Sequence, residues 1–120
     1  MKKVLLVDDE RIFHFLSTKI FEVSGADCEV HSAYDGNEAM QQLSDGLSPH
    51  FIFVDLDMPN MNGFQFIEAY KQKYAAPHST LVVLSSSVTE EERKRVLALG
   101  ADVYLSKPLS ENEVRTLLML

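Results

Sequence analysis

At 120 residues, 46% of them apolar and 24% charged, the chain suits one domain over residues 1–120 and leaves no room for a second. Eighteen acidic against eleven basic side chains, a formal net charge of −7 at pH 7, exclude general binding to a nucleic-acid phosphate backbone. The single cysteine, Cys28, excludes a disulfide framework and a multi-thiolate zinc site, and no apolar run approaches the roughly 20 residues of a membrane span, so a soluble cytoplasmic domain is expected.

The apolar start of the chain turns acidic too soon for a signal peptide. Residues 3–7 are a short continuous apolar run, the mark of a strand buried on both faces. After Asp8-Asp9-Glu10, residues 11–24 place Ile12, Leu16, Ile20 and Val23 at helical spacing, and Gly25 stops the helix. Residues 28–33 are a weaker strand with partial alternation. Asp35-Gly36 makes a turn, 37–47 reads as a helix, and Ser48-Pro49 breaks it. Residues 51–54 are the most apolar strand and run straight into Asp55. The loop from Asp55 to Asn62 carries Pro59, Gly63 opens a helix to about Tyr74, and Pro77 closes that unit. Residues 81–84 form the fourth strand, ending in Ser85-Ser86-Ser87. Thr89, with Glu92 three residues on, has the form of a capping box for a helix that ends at Gly100. Residues 103–105 are the fifth strand, Lys107-Pro108 follows, and Ser110 with Glu113 is a second capping box opening the last helix. This βα succession predicts a doubly wound parallel sheet with helices on both faces.

In such a sheet, ligands bind beyond the carboxyl ends of the strands. Asp8 and Asp9 follow the first strand, Asp55 and then Asp57 the third, Ser85 the fourth and Lys107 the fifth. Each has an ordinary reading by itself: a helix N-terminus for the acidic pair, a turn for Asp55, a loop for Ser85, a solvated lysine for Lys107. Together at one rim they make a site. Like charges so close raise one another's pKa, and a hard divalent cation such as Mg²⁺ relieves this. Metal and lysine neutralise charge while a positioned nucleophile attacks in line, which is the equipment of phosphoryl transfer. Asp55, ending the central apolar strand, is the best-placed nucleophile.

With these residues in view, the sequence resembles the receiver domains of two-component response regulators, of the chemotaxis-regulator type, over roughly residues 2–118. The acidic pair falls on Asp8-Asp9, the phosphoacceptor motif on Asp55-Leu56-Asp57-Met58-Pro59-Asn60-Met61-Asn62-Gly63, the hydroxyl on Ser85, the aromatic switch on Tyr104 and the Lys-Pro pair on Lys107-Pro108. Gly100-Ala101-Asp102 precedes Tyr104 as the family has it. The resemblance implies a five-stranded flavodoxin-like sheet of order 2-1-3-4-5. It implies Mg²⁺, with Mn²⁺ as an acceptable substitute, bound by Asp8, Asp9, Asp55 and the backbone carbonyl of Asp57. Asp55 would take a phosphoryl group from a sensor histidine kinase or a histidine phosphotransfer protein, and Ser85 and Lys107 would hold its oxygens. The domain would catalyse only its own phosphorylation and dephosphorylation. Ser85 moving toward the phosphate would let Tyr104 rotate inward, changing the surface of the fourth helix, fifth strand and fifth helix that an output domain or target protein reads. The Lys107–Pro108 peptide is expected to be cis. Val103 and Leu117 stand where winged-helix regulators carry an acid and an arginine, which disfavours that dimer type. Asp57 is expected to affect phosphoryl lifetime, and the small Ser86 to keep access open.

Two other functions share parts of this pattern. An aspartate-nucleophile phosphatase would use Asp55-x-Asp57, but its motif ends the first strand and is not followed by Met-Pro. A flavin carrier of the same architecture would meet repulsion from Asp8 and Asp9. Neither nucleic acid nor membrane is an expected partner. Phe13, Phe15 and Phe21 are expected mostly in the core, with any exposed one free to dock a phosphotransfer helix bundle. Two of the leucines in Leu117-Leu118-Met119-Leu120 are expected in the core. The histidines, His14, His31, His50 and His78, lack ligand spacing and are expected at the surface or at strand ends. Arg93-Lys94-Arg95 reads as a solvated, paired helix face.

Overall fold

Strand and helix alternate throughout the computed structural model, which describes residues 1–58, 61–74 and 79–119. The elements are β1 (Lys2–Val7), α1 (Arg11–Ser24), β2 (Cys28–Ala33), α2 (Gly36–Ser44), β3 (Phe51–Asp55), α3 (Gly63–Lys73), β4 (Thr80–Ser85), α4 (Glu90–Ala98), β5 (Val103–Ser106) and α5 (Glu111–Leu118). All strand pairs are parallel, in the order β2-β1-β3-β4-β5. The doubly wound flavodoxin-like order is therefore as expected. Pro59, Asn60, Pro77, His78 and Leu120 lie outside the described residues.

The side chains of each central strand alternate between two cores. Leu5, Val7, Ile52, Val54, Leu81 and Val83 pack beneath α2, α3 and α4 with Ala39, Phe66, Ile67 and Val96. Val4, Leu6, Phe51, Phe53, Val82 and Leu84 pack beneath α1 and α5 with Phe21, Val114 and Leu118. Two buried faces explain why these strands read as unbroken apolar runs. Among the described residues of the C-terminal stretch, Leu118 and the half-buried Leu117 pack in this core.

Helix α1 turns the opposite way from its expected stripe. Ile12, Leu16 and Val23 are 73%, 52% and 61% exposed, and Phe15 is 63% exposed. The buried positions are His14, Ser17, Phe21 and Ser24. This helix carries apolar residues on more than one side, so period alone does not choose the inward face. Phe21 decides it by meeting Phe53 edge-on, ring centroids 5.5 Å apart, with half-buried Phe13 and Ile20 beside it. His14 is accordingly a core residue, against expectation. His31 sits half-buried in β2 and His50, exposed, just before β3, as expected.

Caps set the other boundaries. Helix α2 starts at Gly36 rather than Asn37, because the Asp35 carboxylate accepts the Glu38 N–H at 2.7 Å, and it ends at Ser44, short of Leu47. The reciprocal box of Ser110 and Glu113 forms at α5. At α4 only half forms: Thr89 Oγ1 accepts the Glu92 N–H, but the Glu92 carboxylate accepts the Tyr104 hydroxyl instead, at 2.6 Å. That helix ends at Ala98, before the expected Gly100. Gly63 needs to be glycine, since a Cβ there would stand 2.6 Å from Leu56 Cα and 2.7 Å from the Asp55 carbonyl oxygen. This close approach, with the Asn62–Gln65 capping box, ties α3 to the end of β3.

Candidate functional site

Strand order reverses direction between β1 and β3, which pair side by side, and this is where an open α/β sheet forms its crevice. Strand β1 delivers Asp8 and Asp9 just past its end, and β3 ends on Asp55 itself. Asp55 lies opposite Leu84, so Ser85 is one step further along the rim. Ser85 pairs with Ser106, and its carbonyl accepts the Lys107 N–H at 2.9 Å, which fixes the start of the β5–α5 connection. The Lys107–Pro108 peptide is cis, as expected.

The side chains converge. One carboxylate oxygen each from Asp8, Asp9 and Asp55 lies within 4.8 Å of the others. Lys107 Nζ stands 2.6 Å from Asp8 Oδ2, 3.4 Å from Asp55 Oδ1 and 3.5 Å from Glu10 Oε1. Asp8 and Asp55 are buried and Asp9 is exposed. Burial, and then the neighbouring Asp8 charge, push the Asp55 carboxyl up to about 6, against the pull of Lys107 and of the Asp57 N–H. Burial also raises Asp8, with Lys107 opposing it. Burial alone would lower the Lys107 ammonium, but the carboxylates of Asp8, Asp55 and Glu10 outweigh it and raise its pKa. The site therefore holds more negative charge than one lysine balances.

That donor set fits a hard divalent cation. Ligands bonded at about 2.1 Å to Mg²⁺ stand about 3–4 Å apart, within small side-chain adjustments of the observed cluster. Among the described residues, Asp8 Oδ2 is buried with the Lys107 ammonium as its sole partner. Beside the trio opens a cleft of roughly 520 Å³ lined by Asp9, Leu56, Asp57, Met58, Asn62 and Phe64, wide enough for a reactant to approach.

Asp57 is exposed at the cleft. Ser85 is buried, and its hydroxyl accepts the Ser87 N–H at 3.1 Å. Tyr104 is half-buried and turned toward the start of α4. Among the described residues, no hydrogen bond or ion pair joins Ser85 or Tyr104 to the acidic trio. Four contacts escaped sequence reasoning. Glu10 adds a third acid against Lys107, and the Phe13 ring lies 4.4 Å under the same ammonium. His14 bonds the backbone of Asp8, and Glu92 holds Tyr104. Only Glu10 carried a signal, as an acid directly after the pair.

Comparison with known proteins agrees with this geometry. The model of the response regulator receiver domain matches residues 4–119. The transcriptional regulatory protein CpxR of Escherichia coli is 34% identical over 95% of this chain and 46% of its own length. The chain spans less than half the length of such curated relatives. The crystal structure of a two-component response regulator from Cytophaga hutchinsonii superposes with a TM-score of 0.87 at 33% identity, covering 95% of this chain and 91% of that one. The Vibrio cholerae chemotaxis protein CheY4 gives 0.86 at 28% identity, over 99% and 97%.

Proposed function

The chain belongs to the receiver domains of two-component response regulators, and on that premise we propose that Asp55 is the phosphoacceptor of a phosphorelay. The observation that carries this reading is the Asp8–Asp9–Asp55 oxygen cluster with Lys107 set against it. The Asp55-x-Asp57 phosphatase alternative is not needed once the family is fixed.

Asp55 attacks the phosphorus of a phosphohistidine in line. The O–P bond forms, the P–N bond breaks, and the imidazole leaves with a proton taken up at its nitrogen, so Asp55 becomes an acyl phosphate. A carboxyl titrating near 6 is mostly ionised at neutral pH and so able to attack. Lys107 binds one phosphoryl oxygen and the Ser85 hydroxyl donates to another. Asp8, Asp9, Asp55 and the Asp57 backbone carbonyl would hold Mg²⁺, or Mn²⁺ in its place, which when bound would supply charge neutralisation at the transferring group. Water entering past the small, exposed Ser86 attacks the phosphorus, the O–P bond to Asp55 breaks, and inorganic phosphate leaves as Asp55 returns to its carboxylate; the domain catalyses only its own phosphorylation and dephosphorylation.

When Ser85 turns toward the phosphate, Tyr104 follows inward and the α4–β5–α5 face changes for an output domain or target protein. The phosphodonor is a sensor histidine kinase or histidine phosphotransfer protein, and the exposed α1 ridge of Ile12, Phe15 and Leu16 supports docking beside the site. Residues 1–120 are read as one receiver domain working in the cytoplasm, without direct nucleic-acid or membrane binding. Among the described residues, no helix is long and apolar enough to cross a membrane. The test is incubation with acetyl phosphate and Mg²⁺ followed by intact-mass measurement. One added phosphoryl group is expected, absent with EDTA and absent in Asp55→Asn. Equal labelling of Asp55→Asn would overturn the assignment.

A further inference from the structure

The acidic pair is held from three directions. The Asp8 N–H donates to Ala33 O of β2 at 3.1 Å, and the Glu10 N–H donates to Asp8 Oδ1 at 2.8 Å. The third bond comes from a side chain. His14 Nε2 lies 2.7 Å from the Asp8 carbonyl oxygen, past the end of the β1 ladders, where no strand partner remains to serve it. A carbonyl only accepts, so Nε2 carries the proton and donates. The other ring nitrogen, Nδ1, meets Ser32 Oγ at 3.0 Å on β2. The Tyr34 ring closes over the imidazole with centroids 4.5 Å apart, and the Arg11 guanidinium covers Tyr34 at 4.2 Å. The imidazole is thus held on both edges and on one face, and it is only 4% exposed.

The oxygen that His14 holds belongs to the peptide joining Asp8 to Asp9. Its direction sets the plane of that peptide, and with it the angle at which Asp9 leaves the strand. Asp9 is the exposed carboxylate of the trio, with no side-chain bond of its own among the described residues to orient it. A partner that fixes the orientation of a metal-binding group has a large effect on affinity without touching the metal. We propose that His14 is a positioning residue for the Asp8–Asp9 pair, setting the peptide between them so that both carboxylates are presented to a divalent cation. This rests on reading the trio as a cation site.

The experiment compares the full chain with His14→Met, His14→Asn and His14→Gln. Glutamine places an amide nitrogen near the Nε2 position and keeps the donor; asparagine is too short to reach Asp8, and methionine has no donor. Amide resonances of Asp8, Asp9 and Glu10 are followed in the metal-free protein and during Mg²⁺ titration. Expected are a displaced Asp9 amide and at least fivefold weaker Mg²⁺ binding in His14→Met and His14→Asn. His14→Gln should return both to within twofold of the native values. A merely structural role would lower the melting temperature of all three without moving the affinity of the folded protein. Native affinity and an unmoved Asp9 amide in either His14→Met or His14→Asn overturn the proposal. If methionine prevents folding, asparagine against glutamine decides it. Should the native chain itself bind no Mg²⁺, the cation reading fails, and the Asp9 resonance still tests the positioning.

Discussion

The strand tips bury charge, and the outer face of α1 beside them exposes hydrocarbon. Both invert the usual distribution, and they do so in different ways. Asp8 and Asp55 are 0% and 3% exposed, and their charge is met inside the molecule by Lys107. Ile12, Phe15, Leu16 and Val23 are each more than half exposed, and the Lys19 ammonium lies 5.6 Å from the Phe15 ring. Each arrangement forfeits stability, the first through desolvated charge and the second at about 25 cal/mol for every Å² of hydrocarbon left in water. The first is met in part by one lysine. The second leaves its hydrocarbon in water, the feature on which the proposed docking of a phosphodonor rests.

Substituting phenylalanine on the two faces of α1 tests this most sharply. Phe21→Ala empties a fully buried position against Phe53 and is expected to cost about 3–5 kcal/mol. Phe15→Ala is expected to cost under about 0.5 kcal/mol. It should nevertheless slow transfer from a phosphohistidine donor while leaving labelling by acetyl phosphate unchanged. Thermal melts and the two labelling rates check this. Equal destabilisation by the two substitutions would make the ridge part of the core and end the contrast.

The buried charge makes a smaller but pH-dependent contribution. Burial first, and Asp8 second, raise the Asp55 carboxyl from 3.8 to about 6. The folded state therefore binds this proton more tightly than the unfolded one. The stability it contributes is complete below about pH 3.8, declines as pH rises, and is gone above about 6. In EDTA, the native chain should lose on the order of 1–3 kcal/mol across that window relative to Asp55→Asn. Melts of both proteins at pH 4 and pH 7.5 measure the difference, which cancels the titration of groups remote from Asp55. A constant gap between them would mean that the strand-tip charge is already balanced.

How much of this was legible follows from the same contrast. A central strand with two buried faces appears in sequence as an apolar run, so its end is visible, and Asp8, Asp9, Asp55 and Ser85 could be placed at one rim from the chain alone. Lys107 could be placed there too, though its 2.6 Å contact with Asp8 could not. Helix α1 offered two apolar sides, and the choice between them rested on Phe21 meeting Phe53, a contact between residues 32 positions apart (53 − 21). The role of His14 was hidden for a related reason. Its partners are a carbonyl on β1 and a hydroxyl on β2, and backbone oxygens leave no trace in a pattern of side chains.

The smallest expected effect lies where neither rule applies, at the half-buried contact between β5 and α4. The Tyr104 hydroxyl donates to Glu92 Oε1 at 2.6 Å and accepts the Thr89 N–H at 3.3 Å, so the ring is tethered to the start of α4. Burial, and the Glu92 carboxylate after it, raise the tyrosine pKa, which keeps the hydroxyl a donor. Both partners are partly exposed, so losing the bond should cost under about 1 kcal/mol. The position of the ring should change more than the stability does. In Glu92→Ala, the fluorine resonance of fluorotyrosine at Tyr104 is expected to move part of the way toward its phosphorylated position without any phosphodonor. Glu92→Gln keeps an acceptor and should stay near the native resonance. If Glu92→Ala leaves the resonance in place, the tether does not hold the ring outward, and its position is set from the strand tips alone.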